Sequence, residues 1–327
     1  MASIRLLSKQ DLEQVLTLGE VIKVVEEGFA ADAAGEITTF PVVMEHIPVH
    51  GAFFGIKSGY VPSTETLGLK AAGFWPPPKD SPTPGHFAVI LLLDGATGDL
   101  LSFMDGNLIT TMRTGAAGAV AAKYLARPES SIVGVIGAGV QGRIQVRALA
   151  ELFDLSEVRV WDQSRKAVAR YVEAMSGQKF VVRPADTPQE AVSGADIIVT
   201  ATPSTKCLVD ADWVAAGTHV NAIGADARGK QENDPRLFTR ARVVVDKLSQ
   251  CRELGDLQHP LRLGLIKESD VHAELGEIVA GKKVGRTRPD EITIFDATGV
   301  SFQDLVTARL AYERAVEAGL GTEFALE

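Results

Sequence analysis

One stretch restricts the folds open to this chain more than any other. Residues 131–137, Ser-Ile-Val-Gly-Val-Ile-Gly, read as a buried strand that runs straight into Gly137-Ala138-Gly139-Val140-Gln141-Gly142. A helix is expected from Val140. In such a turn the first glycine permits the tight bend and the second lets backbone approach a pyrophosphate. The third lets helix and strand pack closely. The helix N-terminus, including Val140 and Gln141, then offers free N–H groups and a positive dipole end to phosphates. A glycine pattern alone is weak evidence. Here a strand precedes it, a helix follows it, and an acidic residue, Asp162, ends the next strand.

The surroundings fit that reading. Expected strands at 132–137, 158–162, 180–183, 197–202, 219–224, 243–246 and 292–295 alternate with helical stretches, the pattern of a parallel sheet covered on both faces. Residues 115–122 are nearly all Gly and Ala and form a helix able to lie close to other backbone. Upstream, Val21, Val24, Val25, Gly28 and Phe29 share one helical face, with Gly35 as the stop. The stretch 40–74 reads as strands broken by Gly and Pro, 75–84 as an irregular proline-rich loop, and 87–93 with 99–104 as a hairpin. A final helix is expected at 302–318 with Gly319 as its stop. The fold class is therefore α/β: a Rossmann doubly wound parallel sheet over 114–298, plus a smaller α+β substrate and dimerisation domain over 1–113, to which 299–327 returns.

The chain has 327 residues, enough for two domains. Its net charge of -9 argues against nucleic acid or an anionic membrane as partner. It leaves room for a small anionic substrate in a locally cationic pocket. Only two cysteines occur, without metal-type spacing, and although His46 and His50 have metal-like spacing, Pro48 between them keeps a helix from aligning them, so no metal is expected. No stretch has the apolar length of a membrane span and no apolar signal core opens the chain, which makes a cytoplasmic location the expectation.

Several single residues carry possible chemistry. Asp162 is placed to accept hydrogen bonds from ribose hydroxyls, which favours NAD, or else to cap the following helix. Arg165, just beyond it, is the competing signal, since it could hold the 2′-phosphate of NADP. Thr202, ending the expected strand 197–202, is a further candidate cofactor contact. Lys70 interrupts a strand otherwise apolar or small, where an unpaired charge would be costly. Lys57 has an almost identical setting and is either a second cationic contact or an edge-strand lysine. Arg113 is expected to follow a strand and precede a helix capped by Thr114. Its guanidinium could grip a carboxylate at two points, touch the pyrophosphate, or lie on the surface. Asp226 follows the expected strand 219–224 at the carboxyl edge, where such sheets bind ligands, or is a helix N-cap or a solvated loop residue.

Taken in order, several blocks resemble the ornithine cyclodeaminase/μ-crystallin family over most of the chain. They are Met104-Asp105-Gly106-Asn107-Leu108-Ile109-Thr110-Thr111-Met112-Arg113-Thr114-Gly115-Ala116-Ala117, the glycine turn through Arg143, Asn221-Ala222-Ile223-Gly224-Ala225-Asp226, Glu274 to Gly281, Asp296-Ala297-Thr298-Gly299-Val300 and Gln303-Asp304. The resemblance implies a Rossmann domain and a substrate domain that dimerises through its sheet. It implies interconversion of amino and imino acids with NAD(P). It places Arg113 on the substrate carboxylate, Lys70 beside the substrate, Asp226 at the substrate nitrogen and Thr298 with Gly299 beside the nicotinamide. The family often carries an arginine after prolines in the first strand of the substrate sheet. The stretch 39–44, Thr-Phe-Pro-Val-Val-Met, lacks it, which counts against a cyclodeaminase and points to Lys57 or Lys70 as compensation. The leading expectation is NADH-dependent reduction of an imino acid, iminosuccinate to L-aspartate, by a homodimer. Alanine dehydrogenase and ornithine cyclodeaminase are the alternatives within the family, and a non-catalytic NAD(P)-binding crystallin is the alternative of another class.

Overall fold

The computed structural model of the chain describes residues 3–76 and 85–325. Most of the expected loop at 75–84 lies outside the described residues. The chain opens with β1 (Ser3–Leu7), α1 (Lys9–Val15), α2 (Leu18–Ala34), β2 (Thr38–Thr39), β3 (Val43–Ile47), β4 (Ala52–Val61), β5 (Thr66–Phe74), β6 (His86–Asp94), β7 (Leu100–Asp105) and α3 (Gly106–Leu125). It continues with β8 (Ile132–Ile136), α4 (Val140–Ala150), β9 (Glu157–Trp161), α5 (Arg165–Ala174), β10 (Val181–Pro184), α6 (Pro188–Val192), β11 (Ile197–Thr200) and β12 (Thr205–Val209). Then come β13 (His219–Ala222), β14 (Gln231–Asn233), β15 (Ala241–Val245), α7 (Leu248–Leu254), α8 (Gln258–Arg262), β16 (Ala273–Glu274), α9 (Leu275–Val279), β17 (Ile292–Asp296), α10 (Ser301–Ala318) and β18 (Thr322–Ala325). Two compact units result, residues 1–113 with 300–327 and residues 114–299. No helix among the described residues is long and apolar enough to cross a membrane.

The first unit is built on a sheet ordered β18-β1-β7-β6-β5-β4-β2, with β3 paired to β4. Period-2 alternation gives it two different faces. Thr66, Gly68 and Lys70 of β5 are buried on the face that α10 covers. Gly59 and Gly68, direct partners across β4 and β5, let that helix approach. A Cβ on Gly68 would lie 2.9 Å from Leu305, and one on Gly59 would lie 3.0 Å from Ser301. α2 packs beside α10, where Phe29 meets Phe302 edge-to-face at 5.2 Å. Gly35 and Gly319 end these helices in left-handed conformation (φ 77° and 65°), as their positions in the sequence suggest. On the other face, Leu67, Leu69, Val89, Leu91, Leu93 and Phe103 remain partly exposed.

The second unit is a parallel sheet ordered β10-β9-β8-β11-β13-β17-β15-β16. One face buries Val133, Val135, Ile197 and Val199 against Ala122, Val146, Leu149 and Tyr171. The other buries Ile136, Ile198, Val220 and Ile294 against Val192, Leu237, Phe238 and Leu257. The order β10-β9-β8-β11-β13 is the 3-2-1-4-5 of a Rossmann sheet, with cover on both faces, and β17, β15 and β16 extend it. The Gly/Ala segment does lie close to its neighbours: a Cβ on Gly118 would fall 2.0 Å from Gln145 Oε1.

One local expectation fails. Arg113 and Thr114 do not stand between a strand and a helix, and Thr114 is no cap. Both lie inside α3, which starts at Gly106 directly after β7. Asp105 starts it, accepting the Leu108 N–H on Oδ1 at 2.9 Å, and Gly106 fits tightly against Ala88. The Gly/Ala run catches the eye as a helix start because the preceding turns are polar, but their polar side chains belong to a buried helix.

Candidate active site

In the first unit, antiparallel register sets Lys57 directly opposite Lys70. Two like charges so placed repel one another. Lys70 is 5% exposed and Arg113, from α3, is 7% exposed. Both converge on Asp304 in the first turn of α10, which is 1% exposed. Lys70 Nζ reaches the two Asp304 oxygens at 2.9 and 2.7 Å, and Arg113 Nε donates to Oδ1 at 3.0 Å. Arg113 Nη1 donates to Gln303 Oε1 at 2.8 Å. That bond fixes the Gln303 amide, since the reversed orientation would oppose two donors. Gln303 Nε2 is left buried with no acceptor among the described residues. Nε and Nη1 of Arg113 are therefore already committed to protein groups, and a ligand carboxylate would meet the guanidinium on its Nη2 side.

The cluster carries more positive than negative charge. Burial, the Arg113 guanidinium and Lys57 together pull the Lys70 ammonium down to about 7, against the opposing pull of Asp304. Burial pushes the Asp304 carboxyl up, but Arg113 and Lys70 outweigh it and hold it below the ordinary carboxylate range. Lys70 and Arg113 share one carboxylate, so an added anion would be attracted and would restore the Lys70 charge. Asp304 and Gln303 had no assigned role in the sequence. Their partners lie 234 and 190 positions away, and no local pattern announces that pairing.

In the second unit the glycine turn has the form its spacing suggests. Gly137 has φ 111°, and a Cβ there would lie 2.6 Å from the Ala201 carbonyl. A Cβ on Gly142 would fall 2.1 Å from the Gly137 carbonyl, whereas Gly139 faces open space. Gly139 is also the N-cap of α4 and has no side chain to satisfy the first N–H groups. The cradle thus fits a diphosphate. Asp162 is not the cap of α5, a place taken by Ser164. Its carboxylate accepts the Ala138 N–H at 2.9 Å and the Ser164 N–H at 2.8 Å, on the rim of the turn. Arg165 is exposed and pairs with Asp186 at 3.3 Å.

The remaining candidates line the carboxyl edge of the same sheet. Thr202 follows β11 and donates its N–H to Glu232 at 2.5 Å. Thr298 and Gly299 follow β17, and Asp246 accepts the Gly299 N–H at 2.6 Å. Asp226 lies between β13 and β14, about half exposed, and pairs with Lys230 at 2.5 Å. Glu232, Asp246, Asp256 and Asp296 are all buried near these ends and were not foreseen.

A model of the ornithine cyclodeaminase/mu-crystallin family matches residues 4–319. Solved structures similar over nearly the whole chain include the following three. The Thermococcus litoralis Delta(1)-pyrroline-2-carboxylate reductase, in complex with NADH and L-proline, has a TM-score of 0.95 and 37% identity, covering 98% of this chain and 99% of that one. An archaeal alanine dehydrogenase dimer with bound NAD has a TM-score of 0.94 and 36% identity, with 99% and 100% covered. The iminosuccinate reductase of Paracoccus denitrificans, in complex with NAD+, has a TM-score of 0.90 and 34% identity, again with 99% and 100% covered. With its glycine cradle, its buried Lys70–Asp304–Arg113 cluster and a match from end to end, the chain belongs to the ornithine cyclodeaminase/mu-crystallin family.

Proposed function

We propose that this chain reduces an imino acid to an L-amino acid with NADH, and that its substrate is iminosuccinate, giving L-aspartate. The observation that carries this reading is the buried Lys70–Arg113 pair sharing a single carboxylate, with Lys57 opposite. Arg113 and Gln303 Nε2 would take the α-carboxylate, and Lys57 the second carboxylate of a dianion. NADH, when bound on the glycine turn, supplies the hydride. The C=N carbon gains that hydride, the π pair moves to nitrogen, and the nitrogen takes a proton. Asp226 handles that proton, and Lys70 holds charge beside the reacting centre. Thr114, Val140, Gln141, Thr202, Thr298 and Gly299 complete the cofactor contacts. The test follows NADH oxidation with oxaloacetate or pyruvate plus ammonia, and with preformed cyclic imines. The highest kcat/KM is expected with oxaloacetate and ammonia. A higher value with pyruvate would make the chain an alanine dehydrogenase instead.

Asp162 supports NAD over NADP, because its carboxylate on the turn repels a 2′-phosphate while Asp186 neutralises Arg165. Asp162→Ser should shift the NADPH/NADH ratio of kcat/KM by at least about tenfold, the effect of removing one charge-assisted contact. Equal use of both cofactors by the wild type would contradict this. The partly exposed face around Leu69, Leu91 and Phe103 is large and apolar enough to need cover, and the archaeal relative is a dimer. A homodimer through this face should sediment as such at micromolar concentration, and Leu91→Glu should yield monomers. A monomeric wild type would remove the proposal.

A further inference from the structure

β11 and β13 are parallel neighbours that end together, with Thr200 opposite Ala222. Beyond these ends the chain carries Thr202 on one side and Gly224 to Asp226 on the other. Glu232, the middle residue of β14, is buried against both. Its two oxygens do different jobs. Oε1 accepts the Thr202 N–H at 2.5 Å and Oε2 accepts the Gly224 N–H at 2.8 Å. A Cβ on Gly224 would lie 2.4 Å from Oε2, so glycine is what lets the carboxylate come this close.

Glu232 is itself held from behind. Its N–H donates to Asp256 Oδ1 at 2.9 Å, and Asp256 Oδ2 accepts Asn233 Nδ2 at 2.7 Å. Asp296, ending β17, in turn accepts the Asp256 and Leu257 N–H groups at 3.1 and 2.9 Å. Burial, and then the neighbouring Asp256, push the Glu232 carboxyl above its ordinary range. A buried acid facing another acid is an expensive way to join two strand ends if joining were all that mattered. Both Glu232 oxygens accept a backbone N–H, so an amide in its place would set its NH2 against one of those N–H groups.

We propose that Glu232 is a positioning residue for the reaction: it grips the Thr202 and Gly224 N–H groups and so fixes the segment that presents Asp226. This rests on the reading of Asp226 as the proton-handling group. Glu232 touches neither substrate nor cofactor in this role. Arg113, Gln303 and Lys57, which take the substrate carboxylates under that reading, belong to the other unit and keep their contacts when Glu232 changes.

The test is a double-mutant cycle of Glu232→Gln and Asp226→Asn in the full-length enzyme, with kcat and KM measured on the best imino acid found. Asp226→Asn should lower kcat about a hundredfold, the smaller end of general acid–base effects. Glu232→Gln should lower kcat about tenfold, the effect of one lost hydrogen bond to a buried donor, and leave the KM for the imino acid within about twofold. The double variant should match Asp226→Asn alone. If Glu232→Gln lowers kcat by the same factor on both backgrounds, or raises KM instead, the positioning role is overturned while the role of Asp226 stands. If Asp226→Asn keeps wild-type kcat, the reading of Asp226 falls and the positioning role falls with it. Should Glu232→Gln not fold, hydrogen exchange of the wild type decides at the Thr202 amide, because the Gly224 N–H also reaches the Thr200 carbonyl at 3.1 Å: slow exchange at Thr202 supports the grip, and free exchange there overturns it.

Discussion

Replacing Asp304 by Asn is expected to lower stability by about 3–5 kcal/mol at pH 6, because it leaves two buried cations without their shared anion. The melting temperature should fall by on the order of 10 °C. The loss should shrink as pH rises, and the sign follows from Lys70. Its ordinary value is 10.5 and its folded value is about 7, so between these the unfolded chain binds more protons than the folded one. Stability therefore rises with pH across that window. Above about 7 the folded wild type already holds Lys70 largely neutral, and the variant then lacks only the anion for Arg113. Below that value the variant must also bury an unpaired ammonium or lose its proton. Thermal melts at pH 6 and pH 9 test this. A difference from wild type that is equal at both values would show that Lys70 and Asp304 are not coupled.

Much of this was legible in the sequence for reasons that are local. The Rossmann unit announces itself through buried apolar strands at regular spacing and a glycine turn whose φ and clearances only glycine meets. Asp162 is found by its place at the end of the second strand, and α10 by its 3.6-residue period and the stop at Gly319. Lys70 stands out because a charge in an apolar strand demands a partner. What that partner is cannot be read locally. Asp304 lies in another element, and the ion pair exists only once α10 crosses the sheet over Gly59 and Gly68.

The start of α3 was missed for a related reason. Asp105 ends a strand and caps a helix at once, with no intervening loop, so the usual break in pattern is absent. The Thr and Arg residues of its first turns look like a solvated connection, yet Arg113 is buried because Asp304 and Gln303 compensate it. The acids at the carboxyl edge were invisible for the opposite reason. Glu232 sits in a three-residue strand with Gln and Asn beside it, a composition that reads as surface loop. Its burial depends on backbone N–H groups from two other strand ends, and backbone groups leave no signature in side-chain patterning.

The largest effects on activity are expected at Lys70 and Arg113, and the pH profile tells them apart. In the free wild-type enzyme, kcat/KM for the imino acid should fall as pH rises through about 7, where Lys70 loses its proton. Lys70→Met should lower kcat/KM at pH 6 about a hundredfold and abolish that limb, while NADH affinity stays within about twofold. Arg113→Ala should lower kcat/KM at least about tenfold, chiefly through KM if its grip on the carboxylate is equal in ground and transition states. It should also move the limb to higher pH, because the guanidinium is, after burial, the main influence that depresses Lys70. Lys57→Met should move the limb the same way by less, and raise KM for a dianionic imine more than for a monoanionic one. Steady-state kinetics from pH 6 to 9 on one dianionic and one monoanionic imino acid suffices, since changes in each substrate itself are common to all variants. Full turnover in Lys70→Met together with loss in Lys57→Met would mean that the other of the two facing lysines serves the reaction. A limb near 7 that survives in Lys70→Met would remove Lys70 from the titration altogether.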